Sequence, residues 1–203
     1  MNIRHSYYFF KKVIPKKTCN QIIKKFSKLK LVKGTTKGNV EKIRDSKIIF
    51  TSEPFLYDLI NPYIHAANEN SGWNFEWDHT EPLQFTKYAL NEHYNWHTDA
   101  APEPYQDKTK PYSLGKIRKL SIVVSLVDKS KYEGGDFQLD LRNKEIDFKK
   151  KETQDVRNIL TLNELNEAGT IVVFPSFLWH RVTPVTKGTR YSLVGWSLGQ
   201  PWR

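Results

Sequence analysis

A succession of short apolar segments, each closed by a turn signal, constrains the fold of this chain more than any other feature. Between residues 73 and 198 these segments are five to ten residues long, and turns such as 133–135 and 187–188 contain glycine. Many short strands separated by turns predict an antiparallel double sheet. The predicted strands are 73–77, 83–90, 93–98, 119–127, 135–141, 169–174, 179–185 and 189–198.

The first 72 residues carry helical patterns instead. Apolar side chains at Ile22, Ile23, Phe26 and Leu29 follow helical spacing after Pro15, a residue that favours a helix start. The remaining predicted elements are a strand at 7–14, a loop at 34–39, a strand at 47–51, and a second helix at 53–70 in which Pro62 marks a break. We therefore expect one domain over 1–203, in which helices at about 1–72 brace a β core at about 73–200.

Two polar stretches interrupt the predicted strands. Residues 100–118 form a long loop, and residues 142–166 form a charged, partly helical insertion. Loops of this length in compact domains often serve as lids or binding loops. Their roles are left open by the sequence.

The overall composition is that of a globular protein. Hydrophobic residues make up 38% and aromatic residues 13% of the chain, and no apolar run approaches the ~20 residues that span a bilayer. The N-terminus lacks a cleavage site typical of signal peptides. A single cysteine, Cys19, excludes an internal disulfide and fits a reducing compartment, so we expect a cytoplasmic protein.

The chain is basic, with a formal net charge of +10. Such a charge can indicate a nucleic-acid or acidic partner. The lysines are spread along the chain, although residues 11–37 are locally dense. Their spread favours a lysine-rich composition over a nucleic-acid site.

The motif His97-Thr98-Asp99 places an imidazole and a carboxylate two residues apart on one predicted strand. Residues i and i+2 of a strand point to the same side, so His97 and Asp99 can hold one metal ion. Two histidines and one carboxylate form the facial triad of non-heme Fe(II) oxygenases, which leaves coordination positions open. A third ligand must come from elsewhere in the chain.

Other histidines compete for these roles. With 6 histidines and 22 acidic residues in 203, roughly 0.65 His-x-acid pairs are expected by chance. We assign chance to His79-x-Glu81, whose polar neighbours predict a loop. His180 follows an apolar run and a turn, and it is the best third ligand. His93 lies four residues before His97 and on a regular strand would share its face, where it could support the ligands, but we expect it to be exposed to solvent.

Arg190 and Ser192 lie ten and twelve residues beyond His180 on a predicted strand. A guanidinium grips a carboxylate through two hydrogen bonds. The apolar residues that follow predict a buried strand, and a charge is buried there only with a partner. The pair could therefore bind the far carboxylate of a dicarboxylic cosubstrate that chelates the metal.

The ordered set of motifs resembles the Fe(II)/2-oxoglutarate-dependent dioxygenases, specifically their prolyl 4-hydroxylase-like branch. The matching text runs over about residues 84–198 and more loosely upstream, including residues 44–46. It consists of His97-x-Asp99, Tyr132-x-Gly134-Gly135-x-Phe137, Gly169–Phe174, His180-x-Val182-x-Pro184-Val185, and Gly188-Thr189-Arg190-Tyr191-Ser192-Leu193-x-x-Trp196.

The resemblance implies a double-stranded β-helix, or jelly roll. It further implies that His97, Asp99 and His180 bind Fe(II), that Arg190 pairs with 2-oxoglutarate, and that Tyr88 helps to hold it. 2-Oxoglutarate and O2 would be cosubstrates, with ascorbate as a reductant. The implied reaction converts 2-oxoglutarate to succinate and CO2 and hydroxylates an unactivated C–H bond, first of all in a peptidyl proline.

Several alternatives stay open. Animal collagen-type members often carry lysine where this chain has Arg190, so the resemblance does not imply collagen as substrate. The same chemistry could act on a free amino acid or small metabolite. A nucleic-acid demethylase normally carries a second arginine where this chain has Trp196. A non-catalytic jelly-roll binding module would be expected to have a broken triad, whereas this triad is intact.

Overall fold

The computed structural model describes residues 5–34, 43–141 and 158–202. The strands within these ranges are β1 (Tyr8–Phe10), β2 (Val32–Lys33), β3 (Arg44–Asp45), β4 (Lys47–Thr51), β5 (His79–Thr80), β6 (Leu83–Tyr88), β7 (His93–His97), β8 (Ile117–Ser125), β9 (Tyr132–Gly134), β10 (Phe137–Asp140), β11 (Ile159–Thr161), β12 (Ile171–Pro175), β13 (Trp179–Val182), β14 (Val185–Gly188) and β15 (Arg190–Gly199). The helices are α1 (Lys16–Phe26) and α2 (Pro54–Asn70), and short 3-10 turns lie at Lys129–Lys131 and Asn163–Asn166.

The strands form two main antiparallel sheets. The larger sheet has the order β1-β12-β8-β15-β6-β4-β2, with β5 added to β15, and the smaller sheet has the order β11-β10-β13-β7-β3. Strands β14 and β9 form a separate pair. Strands close in sequence alternate between the two sheets, which is the jelly-roll arrangement expected from the sequence.

Each face of the larger sheet packs against a different layer. On the outer face, side chains of α1 and α2 form a core with Phe85, Ile122 and Leu193. On the inner face, Val123, Val172 and Phe174 pack against side chains of the smaller sheet. This division follows the two-residue period of strands, which sends neighbouring side chains to opposite faces.

The predicted helices are confirmed within about one residue at their starts, with two differences. Helix α1 ends at Phe26, so Leu29 lies outside it and is exposed. Helix α2 runs unbroken through Pro62, contrary to prediction. Pro62 is exposed, so the carbonyl that loses its hydrogen-bond donor faces solvent and can bind water.

The predicted strand at 73–77 is wrong. Asn74 has a positive φ of 50°, and the side chain of Asn68 takes the place of a neighbouring strand. Its amide nitrogen donates to the Phe75 carbonyl and its oxygen accepts from the Phe75 N–H, both at 2.9 Å. The strand instead forms at β5, where His79 pairs with Leu198, so the loop predicted around His79 is also wrong.

Two further predictions change in extent. The opening strand is only Tyr8–Phe10, because Lys12 has a positive φ of 53° that ends it. The predicted strand 179–185 is divided into β13 and β14 around Pro184, which cannot donate a ladder hydrogen bond. Of the loop at 34–39 and the insertion at 142–166, residues 35–39 and 142–157 lie outside the described residues.

The loop predicted at 100–118 is confirmed up to residue 116, after which β8 begins. Neither α1 nor α2, the helices of the described part of the chain, is long and apolar enough to cross a membrane.

Candidate active site

A β-bulge in β7 determines which side chains face the interior. His97 pairs with His180 and Tyr94 pairs with Val182, so that Asn95 and Trp96 together oppose only Arg181. The extra residue shifts the alternation by one position, and Tyr94 therefore shares the inner face with His97. His93, which a regular strand would place on this face, lies beyond the bulge and pairs with Asp45.

The structure brings the three predicted ligands together between the two sheets. The ligand atoms of His97, Asp99 and His180 lie within 4.8 Å of one another. His97 Nε2 is 3.8 Å from Asp99 Oδ1, and His180 Nε2 is 3.4 Å from Asp99 Oδ2. His97 ends β7, Asp99 follows it, and His180 is the second residue of β13.

Backbone carbonyls orient both imidazoles. His97 Nδ1 lies 2.7 Å from the Asn95 carbonyl oxygen, and His180 Nδ1 lies 2.9 Å from the Leu178 carbonyl oxygen. A carbonyl oxygen only accepts, so each Nδ1 carries the proton in the neutral ring. Each Nε2 is then left with a lone pair directed at the centre of the cluster, as metal-binding histidines require.

The electrostatics of the cluster favour an ionised carboxylate beside a neutral imidazole. Burial disfavours the charged form of Asp99, but electrostatic interactions with His180, His97 and Arg118 and a hydrogen bond with His180 outweigh it and hold the pKa of Asp99 well below the usual range. Burial, together with the neighbouring His180, lowers the pKa of His97 well below its ordinary value. This donor set of two imidazoles and one carboxylate fits Fe(II) with open coordination positions.

A second group of predicted residues lies on the inner face of the larger sheet. Arg190 is 3% exposed and pairs across the ladder with Tyr88, whose ring centre is 5.4 Å from the guanidinium carbon. Arg190 Nη1 donates to Ser192 Oγ at 3.3 Å. No carboxylate of the described residues forms an ion pair with Arg190, so an acidic ligand could pair with this buried cation.

A glycine makes room for this arginine. Gly135 has a φ of 60°, and a Cβ atom there would lie 3.2 Å from Arg190 Cδ. The Gly134-Gly135 pair noted in the sequence thus has a physical role beside the candidate cosubstrate pocket.

Tyr94 and Arg44 are site residues to which the sequence pattern assigned no role, although residues 44–46 belong to the looser part of the resemblance. The Tyr94 ring stacks on His97 with centroids 3.4 Å apart, and the Arg44 guanidinium lies 4.5 Å from the centre of the Tyr94 ring. Arg44 is 5% exposed, and its Nη2 has no hydrogen-bond partner within the described structure. The bulge that places Tyr94 here has no clear signal in the sequence.

A polar group borders the cluster at the start of β8. Arg118 Nε donates to Glu81 at 2.5 Å, and its guanidinium lies 3.9 Å from the centre of the Trp196 ring. Burial raises the pKa of Tyr105 to about 12, although the nearby Arg118 opposes the shift. Glu81 is occupied by Arg118, and His79 stacks on Tyr112 instead, which agrees with treating this pair as accidental.

Comparisons with known proteins agree with this geometry. The family model of the 2OG-Fe(II) oxygenase superfamily matches residues 83–198. A PKHD-type hydroxylase of Prochlorococcus marinus (strain MIT 9301) is 32% identical over 114 residues, which are 56% of this chain and 40% of that protein. The chain therefore spans about two fifths of the length of the curated relatives it matches.

Solved structures share the fold over nearly the whole chain. A Pseudomonas putida prolyl-4-hydroxylase superposes with a TM-score of 0.68 at 18% identity, covering 95% of this chain and 92% of that one. A Trichoplax adhaerens prolyl hydroxylase in complex with a hypoxia inducible factor peptide superposes with a TM-score of 0.66 at 16% identity, covering 95% and 83%.

Proposed function

Because the chain belongs to the 2OG-Fe(II) oxygenase superfamily, we propose that it hydroxylates an unactivated C–H bond, first of all in a peptidyl proline. The reaction would convert 2-oxoglutarate and O2 to succinate and CO2 as one oxygen atom enters the substrate. One observation carries the proposal: the imidazoles of His97 and His180 and the carboxylate of Asp99 converge between the two sheets, and the larger sheet carries a buried arginine on its inner face with no acidic partner among the described residues.

The residues would divide the work as follows. His97, Asp99 and His180 would hold Fe(II), which supplies the redox chemistry that couples decarboxylation to hydroxylation. Arg190 would bind the far carboxylate of 2-oxoglutarate through its planar fork, assisted by Ser192. Tyr88 would donate its hydroxyl to the same ligand, and burial raises its pKa, so the hydroxyl keeps its proton.

Apolar side chains would keep water from this pocket. Phe137, Phe174 and Val182 are buried beside His180, and Phe174 meets the His180 ring edge-on at 4.9 Å between centroids. A dry pocket strengthens the charge interactions of Arg190 and limits the side reactions of reactive intermediates.

The prolyl peptide substrate rests on the solved neighbours, one of which is a prolyl hydroxylase bound to a peptide. A second candidate is the same chemistry on a free amino acid or small carboxylic acid. The buried Arg44, with its unpartnered Nη2 beside Tyr94, favours a substrate that brings its own anionic group. We also propose ascorbate as reductant and a cytoplasmic location, the latter supported by the free Cys19.

The test measures succinate. Protein loaded anaerobically with Fe(II) would be mixed with 2-oxoglutarate and ascorbate and exposed to air, first alone and then with proline-containing peptides or free amino acids. Mass spectrometry would identify the product that has gained one oxygen atom. Turnover should disappear in His180→Ala and persist in His79→Ala, a histidine outside the cluster.

Arg190→Ala adds a second arm, because its activity should fall and recover at high 2-oxoglutarate. If neither Fe(II)-dependent turnover nor Fe(II)-dependent binding of 2-oxoglutarate is found, the chain is instead a non-catalytic jelly-roll binding module.

A further inference from the structure

Two buried serines outside the triad hold the Asp99 side chain. Ser121 Oγ donates to Asp99 Oδ2 at 2.7 Å, and Ser121 Oγ lies 2.9 Å from Ser176 Oγ. Ser121 comes from β8 and Ser176 from the turn between β12 and β13, and both are 0% exposed. Both hydroxyls are buried, so they bind each other and the Asp99 carboxylate rather than water.

The same turn holds the main chain at Asp99. The Ser176 carbonyl accepts hydrogen bonds from the N–H groups of Asp99 at 3.0 Å and Ala100 at 2.9 Å. The Ser176 N–H in turn donates to the Lys119 carbonyl at 3.0 Å. Asp99 lies beyond the end of β7, so the ladder of the smaller sheet does not fix it. The turn after β12 instead binds the Asp99 backbone directly, and it reaches the Asp99 side chain through Ser121 of β8.

The direction of the hydrogen bonds follows from the charge of Asp99. An ionised carboxylate only accepts, so the Ser121 proton points to Asp99. The Ser121 oxygen then accepts the proton of Ser176, and the two hydroxyls form a chain that ends on the carboxylate. Hydrogen bonds in such a chain polarise and strengthen one another in a buried environment.

We propose that Ser121 and Ser176 are positioning residues that make Asp99 a one-oxygen metal ligand. By engaging Oδ2, the serine chain leaves Oδ1 for the metal and resists rotation of the carboxylate. A carboxylate that bound through both oxygens would occupy a position that 2-oxoglutarate or O2 requires. This inference rests on the proposed function, because it presupposes a metal at the triad.

The test uses Co(II) as a spectroscopic substitute for Fe(II). Its affinity would be measured by chelator competition, and its visible absorption would report the ligand arrangement. Groups that orient metal ligands typically contribute about 10- to 100-fold in affinity. We expect a loss of this size in Ser121→Ala, a smaller loss in Ser176→Ala, and a near-normal affinity in Ser121→Thr, which keeps the hydroxyl.

The matched control is Ser125→Ala. Ser125 lies on the same strand, is 3% exposed, and donates to the Val127 carbonyl at 3.1 Å, away from the triad. It should leave Co(II) affinity and spectrum unchanged while losing a comparable hydrogen bond. Urea unfolding of the metal-free variants would separate lost folding from lost metal affinity, and Ser176→Ala, which keeps its backbone contacts, provides a second variant if Ser121→Ala does not fold.

Two further outcomes separate the inference from its premise. If Co(II) binds the wild type and not His180→Ala, yet Ser121→Ala matches the wild type in affinity and spectrum, the serine inference is overturned and the metal site stands. If wild type and His180→Ala bind Co(II) equally, the proposed function fails and the serine inference fails with it.

Discussion

Replacing Arg190 by methionine should strengthen the metal-free fold and weaken the binding of 2-oxoglutarate. Arg190 is 3% exposed, and its described hydrogen-bond partner is the neutral hydroxyl of Ser192. A buried cation without an acidic partner raises the free energy of the folded state. Methionine has a similar length and no charge, so it removes this cost and also removes the group that would bind the carboxylate.

The two effects have different sizes. Replacing a buried ion pair by apolar side chains of similar volume is often neutral or stabilises a fold by about 1–4 kcal/mol, and we expect a gain in this range when this single buried cation is removed from the metal-free protein. Removing one partner of a buried ion pair costs about 3–5 kcal/mol, which corresponds to roughly 100- to several-thousand-fold weaker binding. Arg190→Lys keeps the charge but loses one of two charge-assisted hydrogen bonds, worth about 1.5–3 kcal/mol.

The assay is a pair of measurements on each variant. Urea unfolding gives the stability of the metal-free protein, and titration of the Mn(II)-loaded protein with 2-oxoglutarate gives its affinity. Arg181→Met is the matched control, because Arg181 lies on the opposite side of β13 from His180, where its Nε donates to Gln138 at 2.7 Å. If Arg190→Met destabilises the fold and binds 2-oxoglutarate like the wild type, Arg190 is a structural residue and the reasoning is wrong.

Three predictions concern stability. Asn68→Ala should lower the unfolding free energy in urea by about 2–4 kcal/mol, since it leaves both backbone groups of the buried Phe75 without partners; a change near zero would contradict this. Gly169→Ala should cost about 3 kcal/mol in the same assay, because φ is 83° and its Cβ would lie 1.9 Å from the Ile14 carbonyl oxygen, and normal stability would refute the clash. Burial raises the pKa of Cys19 from 9.0 to about 11, so the unfolded chain releases the thiol proton at a lower pH than the folded chain does. The unfolding free energy should therefore fall as pH rises across that interval, and it should fall less steeply in Cys19→Ala.

The fold was largely predictable because neighbouring side chains along its strands alternate between the two faces of the sheet, as the core requires. The alternation in β8 and β15 separates Ile122 and Leu193, which face the helices, from Ser121 and Ser192, which face the smaller sheet. The prediction from local propensity failed where the Asn68 side chain takes the place of a neighbouring strand. The residues 73–77 have strand-like composition, but a single asparagine satisfies the backbone of Phe75, and a pattern of apolar residues does not reveal that contact.

The triad was predictable for a different reason. His97, Asp99 and His180 belong to an ordered set of motifs, so they could be picked out without knowing the register of the strands. Their supporting residues are common ones. Ser121 and Ser176 acquire a role only when β8 and the turn after β12 meet at Asp99, although a serine in the apolar run of β8 is a signal that could have been followed.

The bulge in β7 shows why the alternation rule fails at this site. On a regular strand, His93 and His97 would face the interior together and Tyr94 would face outward. The extra residue between Tyr94 and His97 instead brings the tyrosine ring onto the imidazole and leaves His93 beside Asp45. It also places the Asn95 carbonyl where it can fix the His97 ring, with Nδ1 at 2.7 Å. A strand that kept strict alternation would lose this orientation, so the irregularity in the ladder and the geometry of the proposed metal ligand have one structural cause.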